Sequence, residues 1–101
     1  MHRLDMMYKD DYFPNYLVDK IKAEIEKVEE FLKAGNKDAK KIQAELDKMT
    51  EAINDIDEEL NEAGSEIETM AREDIADSVY VLLKEYQIDI DIETAIRNRD
   101  W

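Results

Sequence analysis

Carboxylates are the side chains best placed to do chemistry in this sequence. Between residues 51 and 77 stand eleven acids (Glu51, Asp55, Asp57, Glu58, Glu59, Glu62, Glu66, Glu68, Glu73, Asp74 and Asp77) against a single base, Arg72. Such crowding offers a catalytic cluster, a docking surface for a basic partner, or merely a solvated face. A second acidic run, Asp89, Asp91 and Glu93 with Asp100, falls on positions 1, 3, 5 and 12 of a calcium-loop pattern. Position 6 is Thr94 where the loop needs Gly, and the last ligand is Asp where a bidentate Glu belongs, so Asp91 reads better as a helix cap. The aromatic stretch Tyr8, Tyr12, Phe13 and Tyr16 could stack bases only beside a basic groove, and here Lys9 is followed by Asp10 and Asp11; capping of the core is the better reading. Ser/His/Asp and Cys/His nucleophile chemistry is excluded by composition, because there is no cysteine and the one histidine, His2, lies at a terminus expected to fray.

The chain has 101 residues and a formal net charge of −13. That length implies one domain, 1–101, with one core and any site on its surface or in a groove. The longest uninterrupted apolar run, VYVLL at 79–83, is far short of the roughly 20 residues that cross a bilayer, and MHRLDMMYKDDYF lacks an apolar leader core; the expectation is a soluble, cytoplasmic protein. Nucleic acid and membrane are not expected as partners, since both demand a Lys/Arg footprint. A basic protein is the partner that the charge allows. No cofactor is expected.

The elements that must position these acids are marked by two glycines and one proline. After Pro14, Val18, Ile21, Ile25, Val28 and Leu32 recur at spacings of 3 and 4, which predicts an amphipathic helix over about 14–34, closed by Gly35. Ile42, Leu46, Met49, Ile53, Ile56, Leu60 and Ala63 form an unbroken heptad seam, predicting a helix over about 38–63 closed by Gly64. This seam could serve an intramolecular core or a homodimer. Ser65 and Glu68 read as a capping box that starts a third helix at about 66, running to 86 on Ile67, Ala71, Ile75, Val79, Leu82 and Tyr86. Met70, Tyr80 and Val81 turn away from that stripe, so a further segment should cover them: the aromatic N-terminus or the C-terminal IDIDIETAIRNRDW. Asp91 should cap a short fourth helix over about 92–99, preferred to a lone strand through Ile88, Ile90 and Ile92. The expected fold is all-α: an up-down-up three-helix bundle with a short C-terminal helix and an aromatic N-terminal segment packed on it. Arg72 should pair with Glu68 one turn earlier, or reach a carboxylate of the second helix or the C-terminus.

Glu59-Leu-Asn-Glu62 and Asp74-Ile-Ala-Asp77 resemble the paired acidic motifs of the all-α nucleotide pyrophosphohydrolases. The resemblance implies Mg²⁺ held by Glu59, Glu62, Asp74 and Asp77 against a triphosphate, although Asp74 is a shorter arm than the family's Glu and Asp77 falls opposite the core stripe. A broader likeness covers nearly the whole chain. YKDDYFPNYLVDKIKA, SEIETMAREDIADSVYVLLKEY and IETAIRNRDW resemble, in order, a family of small bacterial proteins catalogued as domain of unknown function 5713. Gln87 departs from it, standing where that pattern is expected to carry Gly. The resemblance implies a helical bundle and points to Ser65, Glu68, Arg72, Arg99 and Trp101 as family-block site candidates, but it carries over no activity. From charge alone, the candidate interaction face is Asp57, Glu58, Glu62, Glu66, Glu73 and Asp77. The favoured reading is therefore a non-enzymatic protein-binding module, with the Mg²⁺-dependent hydrolase as its alternative.

Overall fold

Proline 14 opens the first long helix. Its carbonyl accepts from the N–H groups of Leu17 and Val18, and the helix that follows, Asn15–Lys33, buries Leu17, Val18, Ile21, Ile25, Val28 and Leu32 along one side. Gly35 closes it at φ +90°, a backbone that a side chain would strain, and the Asn36 amide donates to the Phe31 carbonyl left open by the last turn. Asp38 then caps the second long helix, Ala39–Glu62, by accepting from the N–H groups of Lys40 and Lys41. Ile42, Leu46, Met49, Ile53, Ile56 and Leu60 are buried as the heptad spacing requires, whereas Ala63 is exposed beyond the helix end. Lys20 meets Glu59 at 2.8 Å near one end of this antiparallel hairpin.

The third long helix, Thr69–Glu85, completes the up-down-up bundle in the computed structural model, which describes residues 3–101. His2 lies outside the described residues. Two short helices complete the fold: Asp5–Lys9 at the N-terminal end and Ile92–Ala95 at the other. In chain order the helices among the described residues are α1 (Asp5–Lys9), α2 (Asn15–Lys33), α3 (Ala39–Glu62), α4 (Thr69–Glu85) and α5 (Ile92–Ala95). Helix α1 packs against α2 and α4, and α5 against α3 and α4, so each short helix fills the seam on one flank of α4. This is why α4 carries apolar residues so far around its axis. Met70 and Val81 are partly covered, but Tyr80 is not; it stays 47% exposed beneath the Lys84 ammonium, 5.5 Å from the ring centroid. The principal axes, 39 × 25 × 20 Å, follow α3, whose 24 residues span about 36 Å at 1.5 Å each.

Four local expectations need correction. Helix α4 starts at Thr69, because residues 65–68 run without helical structure and Glu68 itself is the cap, accepting from the N–H groups of Met70 and Ala71. The capping box does not form, because the Ser65 N–H is spent on the Leu60 carbonyl at 2.8 Å in the motif that closes α3, with Gly64 at φ +82°. The fourth helix is one turn, Ile92–Ala95, with turns after it, although Asp91 does cap it through the Glu93 N–H. The N-terminal segment contributes a helix, with Leu4, Met7 and Phe13 buried and Tyr8 partly so, while Tyr12 and Tyr16 face solvent. Among the described residues there is no strand, and Ile88 and Ile90 approach α5 as irregular chain.

Candidate functional site

The acidic turn between α3 and α4 is held together by some of its own acids. Asp57 Oδ1 accepts from the Ile67 N–H at 3.0 Å, tying the extended 65–68 segment back onto α3, and Glu68 spends both oxygens on the first N–H groups of α4. A carboxylate that receives backbone N–H groups has become a structural acceptor and is no longer free to meet a partner. Arg72 turns from Glu68 to the other end of the chain, donating from Nε to the backbone oxygen of Trp101 at 2.7 Å. Trp101 is buried, its indole N–H and the Ser65 hydroxyl being the buried side-chain polar groups without a partner among the described residues. Arg99 lies apart, donating to the Ile96 carbonyl and pairing with Glu93 at 3.1 Å. Of the family-block residues, Glu68 caps α4, and Arg72 with Trp101 ties the C-terminal segment to that helix.

What remains on the turn is Glu58, Glu62, Glu66 and Glu73, all exposed. Among the described residues no ion pair within 4.0 Å involves any of the four. Asp77 does not join them, because it lies along α4 at a hollow beside α1. The Mg²⁺ quartet is not gathered either. Glu59 pairs with Lys20 at 2.8 Å, Asp74 Oδ2 receives the Met7 N–H at 3.0 Å, and among the described residues no group of three acids or histidines stands close enough to hold a metal. In the calcium-loop pattern, Asp91 caps α5, Glu93 meets Arg99, and the Asp100 N–H donates to Asn54, so these residues serve the fold.

Asp74 has a role in the fold that the sequence did not suggest. Helix α1 begins at Leu4 in a left-handed conformation, φ 60°, with no cap from its own chain neighbours, and Asp74 supplies the missing acceptor from across the seam. Ser78, one turn on, accepts from the Leu4 N–H at 3.4 Å and donates to the Asp74 carbonyl at 2.9 Å. Burial pushes the Asp74 carboxyl above its ordinary range; the Met7 and Met6 N–H groups pull it back, and the charges of Asp5 and Asp77 raise it further. Arg3, only 5% exposed, donates to the Ser78 carbonyl and bridges Glu29 of α2 at 3.4 Å and Glu85 of α4 at 3.9 Å. No periodicity in the sequence flags Arg3 or Asp74, since their partners lie dozens of residues away.

On the opposite flank, Arg97 grips Asp47 with two nitrogens, at 2.8 and 3.2 Å, and Gln43 adds a bond to the same carboxylate at 2.9 Å. Arg97 holds the Asp47 carboxyl below its ordinary value, against the opposing effect of burial. The Tyr8 hydroxyl is pushed up, by burial first and then by its bond to Asp19.

A family model described as a family of unknown function, DUF5713, matches residues 1–101. The chain belongs to that family. No curated protein and no solved structure matches it. Membership therefore brings the fold and the turn chemistry under one family heading without attaching a reaction to either. No helix among the described residues is long and apolar enough to cross a membrane.

Proposed function

We propose that this member of the family acts by binding another protein through a Lys/Arg-rich surface, without catalysing a reaction. The observation that carries the reading is the set of four exposed acids at the α3–α4 turn, Glu58, Glu62, Glu66 and Glu73, none of which pairs with a cation among the described residues. Other acids do find a cation within the chain, the exposed Glu30 with Lys33 and Glu93 with Arg99, and the half-buried Glu24 with Lys27 and Glu45 with Lys48. Unanswered like charges close together raise the energy of the free protein and lower it again when a cation approaches. Such a surface gives association that is fast at low salt and slows as the Debye length shortens.

The test replaces Glu58, Glu62, Glu66 and Glu73 together by Gln. Asp57 is left alone because its loss would unfasten Ile67. Wild type should bind a Lys-rich peptide saturably in titration calorimetry at low salt, and the variant should bind several-fold more weakly while keeping its circular dichroism. Equal binding by both would overturn the role of the turn.

A further inference from the structure

Four residues of α4, Met70, Asp74, Asp77 and Val81, recur at spacings of 4, 3 and 4 and so form one stripe on the helix. It is the side turned from the main core stripe, and α1 lies across it. Met6 of α1, 54% exposed, lines two hollows beside the stripe. One, of about 220 Å³, is lined by Met6, Val81, Asp74 and Asp77 together with the Arg3 end of the segment. The other, of about 490 Å³, is lined by Met6 and Met70 with Lys9, Asp10 and Asp11. The two ends of the stripe lie about 16 Å apart, eleven residues at 1.5 Å.

Deepening the proposed protein-binding role, on which it rests, we propose that the α1–α4 seam is the docking groove and that its occupant is a basic amphipathic helix of a partner protein. Unbranched thioether side chains are polarizable and adapt to irregular apolar surfaces, and Met6 and Met70 offer two of them with Val81 at the far end. An amphipathic helix presents anchors one, two and three turns apart, which matches the length of the stripe. Charge selects the sign of the partner. Among the described residues that line the two hollows, the bases are Arg3, already engaged by Glu29 and Glu85, and Lys9, beside Asp10 and Asp11, while Asp74 and Asp77 line the other hollow. Burial first, and then the neighbouring acids, raise the proton affinity of Asp74, and a Lys or Arg brought beside it would oppose that rise. The exposed acids of the α3–α4 turn then steer the basic partner from a distance, and the groove holds it.

The experiment compares two synthetic peptides of about 18 residues, five helical turns, with equal positive charge. One places Leu at helical spacing among Lys; the other has Ser in place of every Leu. Each is titrated into the full chain, into a groove variant (Met6→Ser with Met70→Ser) and into the turn variant described above, with light scattering to follow oligomeric state. The expected result is at least tenfold tighter binding of the Leu/Lys peptide to wild type, a preference lost in the groove variant and kept, at lower affinity, in the turn variant. Equal affinity for both peptides, sensitive only to the turn variant, would leave the protein-binding reading standing and overturn the groove. So would a wild-type dimer that Met6→Ser dissociates, since the occupant would then be a second copy. Failure of both peptides to bind would overturn both proposals. Because Met6 is largely exposed, Met6→Ser alone serves should the double variant fold poorly.

Discussion

Helices α1 and α5 do the same mechanical job, each closing one seam beside α4, but they are fastened by opposite electrostatics. On the α5 side, one polar stripe of α3, formed by Gln43, Asp47, Glu51 and Asn54, meets a partner for each member: Gln43 donates to the Thr94 carbonyl, Asp47 takes Arg97, Glu51 receives the Asn98 amide, and Asn54 exchanges bonds with Asn98 and Asp100. On the α1 side, the partners of Asp74 among the described residues are backbone N–H groups, and the charges of Asp5 and Asp77 act on it. The first seam is complete within the chain. The second, among the described residues, sets more acids than bases beside exposed apolar side chains, and the proposed docking rests on that difference.

The largest effect that would test this contrast falls on the floor the two seams share. Ile53→Ala, at a fully buried position of α3, should cost about 2 to 5 kcal/mol in chemical denaturation and loosen both flanks together. Met7→Ala, likewise fully buried, should cost a similar amount, about 2 kcal/mol or more, but hydrogen exchange should then accelerate first in α1 and its contacts on α4 while the α5 seam stays protected. Uniform acceleration would show that the seams do not open separately.

Next come the two carboxylates, whose pH behaviour should have opposite signs. Asp74 binds its proton more tightly folded than unfolded, so its favourable contribution is full below the ordinary value of 3.8 and is lost as pH rises through the folded value. Asp74→Asn, which keeps an oxygen to accept from Met7, should therefore be at least as stable as wild type at neutral pH and lose that advantage in acid. Asp47 behaves conversely: its contribution is full above 3.8 and is lost as pH falls through its lowered folded value, so Asp47→Asn should be less stable at neutral pH and converge on wild type in acid. Thermal melts across pH check both. Asp74→Ala, which removes the acceptor altogether, should cost about 1 kcal/mol through the lost cap of α1.

The smallest effect should also be the one that stabilises. Gln87, at φ 57° in the motif that closes α4 toward the α5 seam, occupies a backbone region that suits Gly, and Gln87→Gly should raise stability by about 1 kcal/mol or less in the same denaturation experiment. A loss of stability would mean that the Gln87 side chain contributes something its exposed position does not suggest.

How much could be read from sequence follows the range of each interaction. The long helices were legible because their causes are local: the 3–4 spacing of Ile42 to Leu60, glycines that tolerate positive φ at 35 and 64, and the Asp91 carboxylate beside the N–H that it caps. The Ser65 to Glu68 box had the right residues at the right spacing and still failed, because the Ser65 N–H was claimed by Leu60 and the Glu68 carboxylate by the N–H groups of Met70 and Ala71. Helix α1 was missed because its cap comes from a residue 67 positions away from the N–H that it satisfies. For the same reason the concentration of acids in residues 51–77 was visible, but its division into turn-building acids (Asp57, Glu68), a helix-pinning acid (Asp74) and exposed acids (Glu58, Glu62, Glu66, Glu73) was not.

The contrast between the seams is measured most directly by following the Asp47 and Asp74 side-chain carboxyl carbons by NMR across acid pH, with and without the Leu/Lys peptide. Asp74 should titrate above the ordinary carboxylate range and move down when the peptide is bound, while Asp47 should titrate below that range and stay where it is. Asp74 titrating at or below its ordinary value in the free protein, or both carboxyls shifting alike on peptide addition, would contradict the picture of one completed seam and one left open for a partner.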